Sequence, residues 1–215
     1  MESIIAWGLA HLNYWTIMLL MAVESSFIPF PSEVVVPPAA YKAAGGAELS
    51  VFLVWLFATI GANIGALINY YLARYLGRPI VYAFAKSKVG KLFLLSPEKV
   101  VKAEEYFDKN GAISTFVGRL IPGIRQLISI PAGMAKMKLL PFVCYTTLGA
   151  GVWNAVLALI GYSMAFVPGI ETEEQLIQKV SVYSKEIGYG IFLVVLLCIA
   201  IHLIRKRMKK SKESK

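Results

Sequence analysis

The stretch Ile113-Ser-Thr-Phe116-Val-Gly118-Arg119-Leu-Ile-Pro122-Gly123-Ile-Arg125-Gln-Leu-Ile-Ser-Ile-Pro131-Ala-Gly133 decides how this chain is read. Apart from two arginines, a few hydroxyls and one glutamine, it has the composition of membrane interior. An ionisable side chain at bilayer depth costs about 2.5–3.5 kcal/mol on insertion scales, so it faces a partner, a cavity or a substrate. Pro122-Gly123 lies between the two charges; proline removes an amide donor and clashes with the preceding turn, and glycine weakens the helix further. Irregular backbone at that depth is tolerated only inside protein or beside water. Arg119 and Arg125 therefore mark a candidate site on a segment that enters the membrane, turns, and leaves on the same side.

The rest of the chain agrees. With 215 residues, 57% of them hydrophobic and 16% charged, and a mean hydropathy of +0.63, it is too apolar for an ordinary soluble domain, and its charges are clustered. Four segments reach the ~20 apolar residues a spanning helix needs: Ile4 to Val23, Leu49 to Leu76, Leu139 to Phe166 and Ile187 to Ile204. Two more are apolar but broken. Glu24 to Gly46 carries Pro29, Pro31, Pro37 and Pro38, and Ala112 to Gly133 carries Pro122, Gly123, Pro131 and Gly133. The first span is expected to stay in the mature protein, because its only preceding charge is Glu2 and a secretory signal wants a basic start. Cys144 and Cys198 read as small packing residues; two thiols in apolar runs give neither a disulfide framework nor a metal set, and no cofactor is implied. The expectation is an all-α polytopic membrane protein with one integral domain over residues 1–204 and a basic tail over 205–215.

Charge placement orients these pieces. Eight Lys or Arg lie between Arg74 and Asn110, and seven more from Arg205 onward, whereas Val167 to Gly190 holds Lys179 and Lys185 against four glutamates. Basic loops favour the cytoplasmic side. The middle loop, the tail and, with four spans, both termini are thus expected in the cytoplasm, and the two broken segments approach the midplane from opposite faces. A weak internal repeat coincides with that opposition. Thr59-Ile-Gly61-Ala62 answers Thr147-Leu-Gly149-Ala150, and upstream Pro38-Ala-Ala40 answers Pro131-Ala-Gly133. The units, about 24–77 and about 112–165, each combine a broken hairpin with a Gly-rich span. Paired interrupted segments of this kind point to an inverted-repeat transporter with its site at the repeat interface.

The first hairpin supplies the opposite charge. Glu24 closes the first span, and Glu33 follows Pro29-Phe30-Pro31-Ser32. A carboxylate in such surroundings can gain and lose a proton during a cycle. Arginine stays charged and offers a planar fork of donors suited to phosphate. Half-helix N-termini and amides freed by the prolines would add donors. The same four residues could instead pair only with one another and brace the hairpins; both readings stand on the sequence.

The residues also carry a resemblance. Phe116-x-x-Arg119-x-x-Pro122-x-x-Arg125, followed by Gly133, Met137, Phe142, Gly149 and Trp153, resembles the signature of the DedA family, also called the SNARE-associated or VTT domain family. Glu24 with Pro29-x-Pro31-x-Glu33 resembles that family's acidic, proline-rich first hairpin, with Ser32 where many members have glycine. The match runs from about Glu24 to Gly161. It implies a bacterial inner-membrane protein with two opposed re-entrant hairpins, acting on lipids and often linked to the proton motive force. Relatives include translocases of undecaprenyl phosphate, proteins implicated in moving phosphatidylethanolamine, and eukaryotic scramblases. Carried onto this chain, Arg119 and Arg125 would contact the lipid phosphate and Glu24 and Glu33 would respond to protons. An uncoupled scramblase and a proton or cation antiporter remain the competing classes.

Other features weigh less. Ser96-Pro97-Glu98 reads as the start of an amphipathic interfacial helix over about 97–110, stopped by Asn110-Gly111. The tail from Arg205 can meet anionic lipid, so the net charge of +9 speaks for a membrane surface rather than nucleic acid. The four tryptophans read as interface or packing residues. A phospho-histidine lipid phosphatase is disfavoured, since His11 and His202 lie far in sequence from the arginine motif and no Walker loop or HExxH occurs. A homo-oligomer stays open.

Overall fold

The computed structural model describes residues 11–26, 32–46, 48–77, 79–80, 82–83, 97–121, 124–168, 175–180, 182–184, 186–188, 190 and 193–194, and the regular structure among them is all helical. The elements are α1 (Tyr14–Glu24), a 3-10 turn (Ser32–Val34), α2 (Val36–Ala44), α3 (Val51–Leu72) widening into a π turn (Ala73–Gly77), α4 (Pro97–Leu120), α5 (Ser129–Met134) and α6 (Leu139–Met164). Among the described residues two stretches are long and apolar enough to cross a membrane: Val51–Gly77, with 27 residues, and Leu139–Met164, with 26. Pro29, Pro31, Pro122, Gly123, the tail and most of the segment from Ile187 to Ile204 lie outside the described residues, as do Trp7, Cys198 and His202.

Several local expectations change. Within the run expected from Ile4 to Val23, α1 starts only at Tyr14, because Asn13 caps it: its Oδ1 accepts from the Trp15 and Thr16 amides, and Thr16 Oγ1 accepts from the Asn13 amide at 2.9 Å. Such a reciprocal box satisfies orphan N–H groups and fixes a helix start. Asn110-Gly111 does not stop a helix either; α4 runs on to Leu120, so the amphipathic segment and the first arm of the second hairpin are one rod. Gly111 is there for packing. A β-carbon on it would lie 2.9 Å from Phe107 Cδ1 and 3.1 Å from Met137 Sδ. Pro131 sits in the first turn of α5 and Pro37 and Pro38 in that of α2, where the missing amide costs little. These prolines begin helices; they do not break them. Cys144, expected to pack, is exposed on α6.

The helices pack in two matching sets. α1 lies on α3 as α4 lies on α6; α2 lies on α6 as α5 lies on α3; and α3 and α6 face each other. Glycine makes each approach close enough for backbone contact. A β-carbon on Gly61 or Gly65 would come within 2.2 Å of the Met18 or Ala22 carbonyl oxygen of α1, and one on Gly149 within 2.5 Å of Arg119 Cβ in α4. On the crossed pairs, Gly133 of α5 would meet the Tyr70 carbonyl at 2.2 Å, and Gly161 of α6 the Pro37 carbonyl at 2.3 Å. Small residues at such seams are how helices associate where the hydrophobic effect cannot drive them together. Apolar clusters fill the space around these seams, one built on Ile17, Met21, Val36, Val54 and Leu157, another on Tyr70, Phe107, Met137 and Phe142. Tyr70 and Phe142 stack at 4.6 Å. Leu176 and Val180, from the helical turn at 175–180, pack on Tyr41, Ile160 and Met164.

The seams give a direct test. Gly161→Val should force α2 off α6 and lower stability in detergent by about 1–3 kcal/mol or more, as overpacking does. Gly151→Ala, whose new carbon meets nothing nearer than 3.7 Å, should leave the unfolding midpoint unchanged or raised.

Candidate functional site

Two stretches, one from the end of α1 to the 3-10 turn and one between α4 and α5, deliver polar side chains to one buried place. α1 ends at Glu24, and Ser25 caps it with its amide on the Met21 carbonyl. Glu33 lies on the 3-10 turn Ser32–Val34 ahead of α2. On the other side α4 ends with Arg119-Leu120, and a run of turns over 124–128 presents Arg125 and Gln126 before Ser129 opens α5. That run keeps local hydrogen bonds, Arg125 N to Ile121 O at 3.1 Å and Ile128 N to Ile124 O at 3.0 Å, so the break leaves few orphan amides. Asn69 of α3 ties the two breaks together. Its Nδ2 donates to the Ser25 carbonyl at 3.1 Å and the Gln126 carbonyl at 3.3 Å, which is how non-helical backbone is satisfied away from water.

The charges meet across the hairpins. Arg125 Nη2 lies 3.3 Å from Glu24 Oε1 and 3.3 Å from Glu33 Oε2, and its guanidinium carbon stands 5.0 Å from the centre of the Trp153 ring. A cation over an indole gains about 0.5–2 kcal/mol, more as water is excluded. Arg119 is 2% exposed and is held by hydroxyls rather than acids: Nη2 donates to Ser129 Oγ at 2.8 Å and Nη1 to Ser25 Oγ at 3.4 Å. Ser25 Oγ in turn donates to Glu24 Oε2 at 3.0 Å, and Gln126 Nε2 to Glu24 Oε1 at 3.4 Å. The four residues named from the sequence are therefore brought together, with Arg125 gripping both acids and Arg119 fixed between one serine from each hairpin.

Between them is a small cavity lined by Glu24, Ser25, Ser32, Arg119, Arg125, Trp153 and neighbours, with about 10 Å³ of accessible space, room for roughly one water. Its walls carry a surplus of donors. Ser32 Oγ, Arg119 Nε, Arg125 Nε, Arg125 Nη1 and Trp153 Nε1 are all buried without a hydrogen-bond partner. Unpaired buried donors are costly, about 1–3 kcal/mol each and more for charged groups, so a cluster of them around one space fits an acceptor-rich anion. The arrangement is a charge-balanced polar site in a helical membrane bundle, two guanidinium groups against two carboxylates.

Sequence reading missed Ser25, Ser129, Asn69 and the part played by Trp153. Isolated small polar residues inside apolar runs were the available signal; Trp153 stood in the family signature, but its place over Arg125 is set by the α6 packing.

Comparison with known proteins places this arrangement. The VTT domain family matches residues 30–163, so the chain is a membrane protein belonging to the VTT domain, or DedA, family. An alkaline phosphatase-like protein of Lactococcus lactis subsp. lactis is 34% identical over 212 residues, covering 99% of this chain and 96% of the relative. Undecaprenyl phosphate transporter A of Staphylococcus aureus is 30% identical over 209 residues, 97% of this chain and 99% of that one. Protein DedA of Escherichia coli is 23% identical, covering 78% and 69% respectively. No solved structure matches.

Because Arg125 is shared, removal of one acid leaves it an anion and removal of both does not. Glu24→Gln and Glu33→Gln should each destabilise mildly, and the double variant should lose about 3–5 kcal/mol, the cost of an uncompensated buried charge. Denaturant or thermal unfolding of the two single variants and the double one checks this; additive effects would show that the two carboxylates do not share the arginine.

Proposed function

We propose that this chain is a translocase for a phosphate-bearing lipid of the bacterial inner membrane, with undecaprenyl phosphate the leading substrate and protons as the coupled species. One observation carries the reading: five donor atoms without a partner among the described residues belong to four side chains that line one small cavity. A phosphate monoester supplies the acceptors they lack, and arginine forks match its geometry. The names of two relatives, undecaprenyl phosphate transporter A of Staphylococcus aureus and of Bacillus subtilis, support that substrate class.

Proton coupling follows from charge balance. With Arg119, Arg125, Glu24 and Glu33 all ionised the site is neutral, so an entering anion adds uncompensated negative charge to a buried place, which is strongly unfavourable. Protonation of one carboxylate per added negative charge restores neutrality and frees Arg125 for the phosphate. Glu24 and Glu33 are the proton-responsive pair in this reading, and Arg119 the fixed binding arm. A zwitterionic headgroup such as phosphatidylethanolamine brings its own cation and fits the donor surplus less well. An antiporter would need carboxylates that exchange cations, whereas these are held by Arg125.

The matching packing sets support two inverted repeats, about 24–77 and about 112–165, with Gly61 and Gly149 in equivalent places. Both termini are assigned to the cytoplasm on the distribution of Lys and Arg. A cavity that admits one water describes an occluded state, and the hairpins must part for a headgroup to enter; alternating exposure of a site at the repeat interface is the corresponding motion.

Reconstituted vesicles test the reading. Undecaprenyl phosphate should flip at least ten-fold faster than phosphatidylethanolamine under a pH gradient, Arg125→Ala should abolish movement in folded protein, and Glu24→Gln should remove the dependence on the gradient. Equal rates with and without the gradient in the unmutated protein would overturn coupling. Release of inorganic phosphate in place of movement would overturn transport.

A further inference from the structure

We infer that the groove between α3 and α6 holds the hydrocarbon chain of the lipid while its phosphate occupies the arginine cavity, and that the α3–α6 seam is where the headgroup passes between bilayer and cavity; this rests on the phosphate-lipid reading above. A lipid tail cannot leave hydrocarbon cheaply, since each methylene exposed to water costs about 0.8 kcal/mol. The headgroup must therefore reach a buried site sideways, through a seam between helices. Only some seams can part. The α1–α3, α4–α6, α2–α6 and α3–α5 seams are each closed by glycine contacts in which a β-carbon would sit 2.2–2.5 Å from the opposing helix. The α3–α6 seam has its own glycine, Gly151, but a β-carbon there would find only Trp55 Cζ2 at 3.7 Å and Thr59 Cγ2 at 3.8 Å.

Gly151 thus costs helix propensity, about 1 kcal/mol relative to alanine; its carbonyl accepts from Trp55 Nε1 at 2.8 Å across the seam, but no main chain packs where its β-carbon would be. What it leaves is volume. It lies in an open apolar groove of about 580 Å³ lined by Trp55, Ile60, Ile64, Leu148 and Val152, the last four between 39% and 57% exposed. Across this apolar surface runs a polar ladder. Thr147 Oγ1 lies 3.0 Å from Asn63 Oδ1, Asn63 Nδ2 donates to the Thr59 carbonyl at 2.8 Å, and Asn154 Nδ2 donates to Thr59 Oγ1 at 3.3 Å. Asn63 and Thr147 line the groove, and Asn154 lines the arginine cavity. Besides Asn154, α3 and α6 give the cavity Ala62, Ala150 and Trp153, and at the two alanines the partition is thin. Amides and hydroxyls in sequence across a thin wall offer a headgroup hydrogen bonds during passage, with the chain lying in the groove outside.

The test uses a polyprenyl phosphate carrying a photoactivatable diazirine in its chain, incorporated in vesicles with the full-length protein. Adducts are expected on Ile60, Ile64, Leu148 and Val152. They should fall at least ten-fold in Arg125→Ala and under excess unlabelled polyprenyl phosphate, but not under excess phosphatidylethanolamine. Adducts that respond to both but map elsewhere overturn the groove and leave the phosphate site standing. Groove adducts indifferent to Arg119→Ala, Arg125→Ala and competitor are ordinary boundary lipid, and overturn both readings. Efficient linkage of two copies through Ile64→Cys in a Cys144→Ala background would make the groove an interface between copies, and would also overturn its role.

Discussion

Arg125 is the point on which the meeting of the two halves depends. A guanidinium buried this deeply must be neutralised, and the chain does so with two carboxylates that come from the other hairpin, one at the end of α1 and one in the 3-10 turn ahead of α2. Neither hairpin is complete alone. Among the described residues the opposite charges for Arg125 come only from the other segment, and Asn69 reaches the Ser25 and Gln126 carbonyls at once. The interaction that would make this segment impossible in a bilayer is, once paired, the one that fixes how the halves meet.

The glycine seams then set how closely they can meet. Contacts between main chains place α1 on α3 and α4 on α6 with little side chain between, and the crossed pairs at Gly133 and Gly161 seat each short helix on the long helix of the other half. Rigid seams around a charged centre concentrate any opening motion where glycine contact is absent. In the proposed cycle binding and gating would fall on different elements: binding on the arginines beside the short helices, the movable wall between the two long helices.

Much of this was legible in the sequence. Charge inside apolar runs identified Arg119, Arg125, Glu24 and Glu33, and the length of the apolar stretches located α3 and α6. Prolines misled, because Pro37, Pro38 and Pro131 look like breaks along the chain yet occupy first turns, where a helix has spare amides. Gly111 misled for a related reason: a glycine after asparagine resembles a helix end, and only the nearness of Phe107 and Met137 shows it to be a packing site. Asn13 and Thr16 carried a capping signal that the surrounding hydrophobicity masked. Trp153 could not be found at all from composition, since its meeting with Arg125 depends on the rotation of α6 about its axis.

The even balance of two cations and two anions at the centre has an electrical meaning. Membrane voltage does work only on net charge that moves, about 2.3 kcal/mol per elementary charge per 100 mV. With all four groups ionised and nothing bound, the closed centre gives the field no handle, so an idle protein neither drifts with the potential nor dissipates it. Charge appears only with cargo, and a headgroup accompanied by its compensating protons would again cross as a neutral unit, drawing on the concentration part of the proton gradient rather than on the voltage.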